Sequence, residues 1–153
     1  MKKLFALAMI LAASLLAFSC KPSTLNGKWN ITAVNGETVK TVEKTPFIEF
    51  NEAESRIHGC FGVNLVNGTY THENGKLDFN FGNVAMTMMA GIPQDMEVEN
   101  KIREAAATVT NAKIKGKTLS LFNAEGKEVL TLVKDAKSMK KDANSTKLNC
   151  NCD

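Results

Sequence analysis

The spacing of apolar residues changes twice along this chain, and this limits the folds that the chain can adopt. Up to position 81, apolar and polar residues alternate in several short segments, which is the pattern of half-buried strands. From Pro93 to Thr110 the apolar residues recur at helical spacing, and strand-like alternation then returns. One helix between two groups of strands predicts an α+β domain with a curled, mostly antiparallel sheet and one amphipathic helix packed on it.

The predicted strands are short and are separated by turn signals. Asn35-Gly36 and Asn74-Gly75 are dipeptides that favour tight hairpins, and Gly116 and Glu125-Gly126 mark two further turns. Turns of this length join neighbouring antiparallel strands. The strands are predicted at 29–34, 47–50, 56–58, 68–71, 77–81, 111–115, 118–122 and 128–133.

The helical segment has a signal for its start and one apolar side. Pro93 suits the first turn of a helix, and Asp95 is expected to cap it. Two oriented pairs at i,i+4 spacing are expected to stabilise the helix, Glu97 with Lys101 and Glu99 with Arg103. The stripe that is predicted to face the sheet consists of Val98, Ile102, Ala105, Ala106 and Val109.

The first residues indicate an export signal. Lys2 and Lys3 precede an uncharged apolar run at positions 4–18, which is too short to span a membrane and is typical of a secretory signal. The run stops at Ser19-Cys20, the pattern of a bacterial lipoprotein whose new N-terminal cysteine carries acyl chains such as palmitate. Ordinary cleavage after Ser19 would instead leave Cys20 a plain thiol. We expect acylation of Cys20, and two or more acyl chains would anchor the protein stably.

Removal of the signal at 1–19 leaves enough chain for one domain. A tether at 20–24 is followed by the domain at 25–134, and the lysine-rich segment at 135–153 is predicted to be a disordered tail. The whole chain has a net charge of +3, and the loss of Lys2 and Lys3 reduces it to +1. A nearly neutral chain does not indicate nucleic-acid binding, so no nucleic-acid partner is expected.

Three motifs occur in order along the chain. The first is Leu25-Asn-Gly27-Lys-Trp29, the second is Gly59-Cys-Phe-Gly62-Val-Asn64-Leu-Val-Asn-Gly68-Thr-Tyr70, and the third is Thr87-Met-Met89-Ala90 before the helix. Together they resemble the META domain, the HslJ-like family of small bacterial envelope proteins, and the second matches five of the six fixed positions of that family's central signature. The resemblance covers about 25–133. It marks the following residues as parts of the fold: Gly27, Trp29, Gly59, Gly62, Asn64, Gly68, Tyr70, Thr87, Met89 and Ala90.

The resemblance also bears on the cysteines. It implies that the family's two cysteine positions, which look like disulfide partners, correspond to Val63 and Gly91, so that both cysteines are missing. Cys60 falls on a variable position of the signature. We therefore expect packing alone to hold the signature loop to the start of the helix. Apart from Cys20 the chain has Cys60, Cys150 and Cys152, an odd number that does not suggest a disulfide framework even in an oxidising compartment.

Cys60 is the candidate nucleophile, because His58 lies two residues before it and would point the same way on a strand. A catalytic thiol is activated by a helix start or a basic cluster, and nothing beyond Arg56 is present, so a structural thiol is expected.

The segment with Gly59, Gly62 and Gly68 lacks the lysine of a phosphate-binding loop. They are expected to permit a bulge or a close backbone crossing, which Asn64 would cap through its side chain.

Two further groups could bind soft metals. Met86, Met88, Met89 and Met96 lack the histidine or cysteine that a copper site usually includes, so filling of the core is expected instead. Cys150-Asn-Cys152 could bind a metal, form a strained disulfide, pair with Cys60 or be incidental to the tail. The sequence leaves these possibilities open, and no dedicated function is expected. No metal and no cofactor is expected.

The sequence predicts a non-enzyme, because no catalytic constellation is recognisable. The protein would be a lipid-anchored, periplasm-facing component of the cell envelope that binds or has a structural role under envelope stress. Its partners would be the membrane, through Cys20, and an envelope protein or apolar ligand. An alternative is a pilot- or chaperone-like module that holds an apolar peptide or lipid in the cleft of the sheet, among Phe79, Phe81, Ile102 and Leu121. A third hypothesis is a thiol enzyme that uses Cys60.

Overall fold

The computed structural model describes residues 24–41, 43–79 and 84–137. These residues form eleven strands and one helix. The helix α1 spans Pro93–Ala107. The strands are β1 (Gly27–Val34), β2 (Glu37–Thr38), β3 (Phe47–Asn51), β4 (Arg56–Cys60), β5 (Leu65–Thr69), β6 (Thr71–Glu73), β7 (Lys76–Asp78), β8 (Ala85–Met86), β9 (Val109–Lys115), β10 (Thr118–Asn123) and β11 (Glu128–Lys134).

All strands belong to one sheet, and every pairing between them is antiparallel. The order across the sheet is β6-β7-β9-β10-β11-β1-β3-β4-β5-β8, and β2 pairs with the end of β1. The sheet curls into a half-barrel, and α1 packs on it against β11 and β1. The predicted fold class, α+β with a curled antiparallel sheet and one helix, is confirmed.

The core lies between α1 and the sheet, where the alternation of the strands places their apolar side chains. In β10, for example, Leu119 and Leu121 are fully buried, and Thr118, Ser120 and Phe122 on the opposite face are only half-buried. Phe79, Ile102 and Leu121, which would line an open cleft in a pilot-like module, are instead buried members of one continuous core cluster. Phe81, the fourth residue of that expected cleft, lies outside the described residues.

The helix differs from its prediction at three points. It ends at Ala107, so Val109 belongs to β9, although Val109 is buried as expected. Asp95 does not cap the helix, because the N-cap residue is Ile92, which makes no side-chain capping bond. Glu97 does pair with Lys101, at 3.0 Å. Glu99, however, is buried in the protein interior and does not form the predicted pair with Arg103, whose guanidinium bonds to Asn100.

The observed boundaries of two predicted strands differ from the prediction, and two short strands were not predicted. The segment predicted at 68–71 is split, because β5 ends at Thr69 and β6 begins at Thr71. The segment predicted at 77–81 forms a strand only to Asp78 in the described residues, and 80–83 are outside them. The sequence did not predict β2 and β8, since a pair of residues is too short to show alternation. The disordered tail was predicted at 135–153, and of these residues 138–153 lie outside the described residues.

Trp29 closes the core near the start of β1. Its side chain is only 1% exposed, and its indole Nε1–H donates to the carbonyl of Leu25 at 2.6 Å. The Nζ of Lys134 lies 4.7 Å from the centroid of the ring, which places a cation over its face. Trp29 is therefore a fold residue, and its ring holds the entering chain against β11.

We expect Trp29→Ala to lower the free energy of unfolding by roughly 3–5 kcal/mol, because it removes a fully buried ring from the core. Trp29→Phe also loses the bond to Leu25, but it should cost less than Trp29→Ala because it keeps an aromatic ring in the core. Guanidinium denaturation followed by circular dichroism measures both. Strong quenching of the native tryptophan fluorescence by acrylamide, together with an unchanged midpoint for Trp29→Ala, would contradict this core role.

Candidate functional site

The signature loop between β4 and β5 is fastened to α1 by one buried carboxylate, that of Glu99. One oxygen of Glu99, Oε2, accepts the backbone N–H of Val63 at 2.9 Å and that of Asn64 at 2.6 Å. The other oxygen, Oε1, accepts the side-chain Nδ2 of Asn64 at 2.8 Å. Glu99 is 4% exposed, so these three bonds form away from water, where bonds to a charged acceptor are strong. We call Glu99 and Asn64 with their bonds the carboxylate brace.

Asn64 extends the brace to the segment before α1. Its Oδ1 accepts the N–H of Met89 at 2.6 Å and the hydroxyl of Thr87 at 2.9 Å. Its Nδ2 also contacts the carbonyl oxygen of Met89 at 3.3 Å. The hydroxyl of Thr87 accepts the N–H of Leu65 at 3.0 Å, which ties this segment to the start of β5. Asn64 therefore caps the crossing through its side chain, as its place in the motif predicts.

The signature glycines stand where other parts of the chain pass very close. A Cβ at Gly59 would lie 2.6 Å from the carbonyl oxygen of Phe47, and one at Gly62 would lie 2.8 Å from that of Asp95. A Cβ at Gly68 would lie 2.7 Å from a methyl group of Val84. Contacts this short exclude any side chain at these positions unless the neighbour shifts.

Val63 and Gly91, the positions that correspond to the missing family cysteines, are in contact. A Cβ built on Gly91 would lie 3.2 Å from the Cβ of Val63 and 2.3 Å from one of its methyl groups. Val63 is 6% exposed, and its side chain fills the space next to the bare backbone of Gly91. Packing and the carboxylate brace together hold this crossing.

Asp95 is the second buried carboxylate on the same side of α1. It is fully buried, and its Oδ2 accepts the N–H of Glu43 at 3.0 Å, which fastens the loop before β3 to the first turn of the helix. The sequence analysis missed the roles of Asp95 and Glu99. A signal was available, because both positions continue the spacing of the buried Ile102 and Ala106 along one face of the helix.

Tyr70 ends the signature at the break between β5 and β6. Its ring is 4% exposed and lies edge-on to Phe50, with the ring centroids 5.1 Å apart, and its N–H donates to the carbonyl of Ser55 at 3.0 Å. Burial, and to a smaller degree the negative charge of Glu52, raises the pKa of Tyr70 to about 12. The phenol therefore stays protonated at physiological pH and serves the packing of the core.

Three exposed apolar residues lie on the two segments that the brace joins, and we call them the apolar patch. It consists of Leu65, Met88 and Met89, whose side chains are 37%, 95% and 44% exposed. They are three of the four exposed large apolar residues in the described chain. The expectation that the methionines fill the core is wrong for Met88 and Met89. Of Met86, Met88 and Met89, only Met86 packs against the core cluster, because in β8 it pairs with Val66 of β5.

Cys60 and His58 do not form a reactive pair. Cys60 is a free thiol that is 1% exposed, whereas His58 is exposed and its Nδ1 lies 2.8 Å from the Oδ1 of Asn67. His58 lines an open groove of about 500 Å³ on the sheet surface with Glu49, Arg56 and Asn67. Glu49, His58 and Asn67 lie directly opposite one another on β3, β4 and β5. The groove is polar, and the thiol is not accessible from solvent.

The other predicted site residues have simpler positions. Gly27 begins β1 with a φ of 98°, a conformation that favours glycine, and Ala90 is exposed beside Gly91. No group of three or more His, Cys, Asp or Glu side chains in 24–41, 43–79 and 84–137 is arranged to hold a metal ion. Cys20, Cys150 and Cys152 lie outside the described residues.

The comparisons with known proteins agree with this architecture. A family model of the META domain matches residues 23–136, so the chain belongs to the META domain family. A protein solved by NMR is similar, with 28% identity, a TM-score of 0.53, and coverage of 71% of this chain and 89% of that one. A second NMR structure, of a protein from Burkholderia xenovorans, has 20% identity and a TM-score of 0.56 over 73% of this chain and 84% of that one. No curated protein matches the chain.

We expect Glu99→Gln to lower the free energy of unfolding by about 2 kcal/mol or more. A glutamine of the same shape would turn an N–H₂ group toward buried donors and would lose the charge that strengthens the three bonds. Glu97→Gln is the matched control, since Glu97 lies two residues away on the exposed side, and the loss of its surface pair with Lys101 should cost no more than about 0.5 kcal/mol. Equal midpoints for the two variants would show that the brace does not stabilise the fold.

We expect the double substitution Val63→Cys and Gly91→Cys to form an intramolecular disulfide on oxidation, because the two positions are already in contact. The oxidised protein should be monomeric and at least as stable as its reduced form. Gly91→Ala alone should be destabilising by about 1–3 kcal/mol, since its Cβ meets the methyl groups of Val63. Non-reducing gel electrophoresis and mass spectrometry of peptides identify the bridge. Only intermolecular products would show that the correspondence with the family cysteines is wrong.

Proposed function

We propose that this META domain protein is anchored to the cell envelope by acyl chains on Cys20 and binds a partner without catalysis. The support for the anchor comes from the sequence, where a signal of secretory length ends at Ser19-Cys20. The described domain begins directly after it, since Leu25 is already fully buried. Among the described residues, no helix is long and apolar enough to cross a membrane. The anchored domain would face the periplasm.

The apolar patch of Leu65, Met88 and Met89 is the observation that carries the proposed binding role. Large apolar side chains that cluster on a surface are typical of interaction sites, and methionine adapts its shape to a partner. The main chain under the patch is held by Asn64 and Thr87, so the patch is presented on a rigid support. We propose that its ligand is an apolar segment of another envelope protein, bound during envelope stress.

The position of the patch favours a protein ligand over the lipid of the anchoring membrane. Leu65 begins β5, and the chain from Met86 to Met89 runs past it away from the level of Gly27, where the chain enters the sheet. Leu65 pairs through Cys60 and Phe47 to Asn30, three residues beyond Gly27 on β1. In a domain that is tethered at its entry, the patch would therefore be separated from the tether mainly by the strands between β1 and β5.

The two other hypotheses receive less support from the geometry. A pilot- or chaperone-like module would need an open cleft, and the described residues expected to line it are packed in the core. A thiol enzyme would need an accessible nucleophile, and Cys60 is 1% exposed. We therefore infer a non-enzyme that uses no cofactor and binds through its surface.

The anchor is tested by Cys20→Ala. We expect the wild-type protein to fractionate with membranes and to carry a diacylglyceryl and an acyl group on Cys20 by mass spectrometry of the intact chain. The variant should be released as a soluble protein or remain unprocessed. A wild-type chain that begins at Cys20 with an unmodified thiol would refute the anchor.

The binding role is tested by placing a photo-crosslinking amino acid at Met88 in cells. We expect a discrete crosslinked product at this position, and we expect it to disappear when Leu65 and Met89 are both changed to serine. The matched control carries the crosslinker at Lys127, an exposed position in the turn before β11. Identical product patterns at the two positions would contradict a specific ligand on the patch.

A further inference from the structure

One end of the sheet carries a group of lysines on β9, on the turn that follows it, on and just after β11, and on β1. Exposed Lys115 and Lys117 flank the turn between β9 and β10, and exposed Lys137 follows β11. The N–H of Lys134 donates to the carbonyl of Lys117 at 2.8 Å, and the N–H of Asp135 donates to that of Lys28 at 2.9 Å. These backbone bonds place the turn before β10, the end of β11 and the start of β1 side by side at this end of the sheet. We call this surface the lysine end: Lys28, Lys115, Lys117, Lys134 and Lys137.

The chain enters the domain at the lysine end. The Nζ of Lys134 donates to the carbonyl of Asn26, two residues after the first described residue, Thr24. Three residues lie between Cys20 and Thr24, and these four residue steps can span at most roughly 14 Å even when fully extended. An acyl anchor at Cys20 would therefore keep the lysine end next to the lipid headgroups.

The charge at this end is unevenly distributed. Asp135 is the one acidic residue within the lysine end, and its carboxylate accepts from Asn30 and from the N–H of Lys137. Glu49 lies opposite Lys28 on β3, and the turn between β3 and β4 carries Glu52 and Glu54. The positive field is thus concentrated on β9, β10, β11 and the start of β1, and the acidic groups lie on the other side of β1.

We propose that the lysine end rests on the anionic phospholipid headgroups of the membrane that anchors the protein, and that it fixes the orientation of the domain. This inference rests on the proposed anchor at Cys20. The uneven charge would tilt the domain so that β9–β11 lie against the headgroups and the acidic turn between β3 and β4 is raised. Val133, an exposed apolar residue opposite Thr118, lies on the same side of the sheet end and adds an apolar contact.

The short tether makes the electrostatic attraction between the lysines and the headgroups effective, because it keeps the two close together. Electrostatic attraction acts over a Debye length of about 8–10 Å at physiological salt, which is within the reach of the tether. Each lysine near an anionic surface strengthens binding by roughly fivefold, so three lysines together contribute roughly 100-fold.

The test measures binding to lipid vesicles without the acyl anchor. The chain from residue 20 onward, with Cys20→Ser, is sedimented with vesicles of phosphatidylcholine alone and with vesicles that also contain phosphatidylglycerol, at about 50 mM and about 500 mM salt. The variant Lys115→Gln/Lys117→Gln/Lys137→Gln is compared with Lys40→Gln/Lys44→Gln/Lys127→Gln, which removes the same charge from exposed positions elsewhere. All lysines after position 137 are retained in every protein, and circular dichroism verifies that the variants fold.

We expect binding only to the vesicles with phosphatidylglycerol, loss of binding at high salt, and affinity that is roughly 100-fold lower for the first variant. The second variant should stay within about threefold of the parent protein. Equal weakening by both variants, or equal binding to both kinds of vesicle, would overturn the proposal. The result does not depend on acylation, so it is separate from the mass measurement on Cys20 that tests the anchor itself.

Discussion

The buried carboxylate of Glu99 is the interaction on which the signature loop depends. A charge that is taken out of water on α1 is stable only if it is surrounded by donors, and the loop supplies them through two backbone N–H groups and the amide of Asn64. The described residues contain no buried side-chain polar atom without a partner, so the network is complete. Asn64 in turn accepts hydrogen bonds from Met89 and Thr87. The carboxylate of Glu99 therefore fixes the relative positions of the helix, the loop and the segment that carries Met88 and Met89.

The brace also explains how the crossing can do without a covalent link. Val63 and Gly91 touch where the resemblance places the family's disulfide, and their contact supplies packing but no direction. The bonds of Glu99 and Asn64 are directional, so they fix the path of the loop as a disulfide would. They do not depend on the redox state of the surroundings. The one described cysteine, Cys60, is a free thiol that is buried nearby in β4 and takes no part in the brace.

The sequence predicted the fold better than the site, for a physical reason. Alternation reports which side of a strand is buried, and the turn dipeptides Asn35-Gly36 and Asn74-Gly75 both adopt the positive φ values that tight hairpins require. The brace escaped prediction because the spacing of Glu99 and Arg103 is equally consistent with a surface pair. A carboxylate becomes a buried anchor only when a loop that is distant in sequence presents its donors, and spacing along the helix does not contain that information. The exposure of Met88 was missed likewise, since composition favours methionine in a core.

The register of the sheet connects these features to function. The pairings connect Leu65, at the start of β5, through Cys60 and Phe47 to Asn30 on β1, and they continue from Asn30 through Val133 and Thr118 to Lys115 at the end of β9. The patch and the lysine end are therefore separated across the sheet, by the strands between β5 and β9, and not along the strands. A shift of one residue in any pairing between β1 and β5 would turn the core side chains outward, so this arrangement is as strongly specified as the core itself. The same register that buries Phe50 and Ile57 therefore fixes where the lysine end and the patch lie relative to each other across the sheet. An anchored domain with this register would meet the membrane with one surface and its ligand with another, and neither contact would need the domain to change its shape.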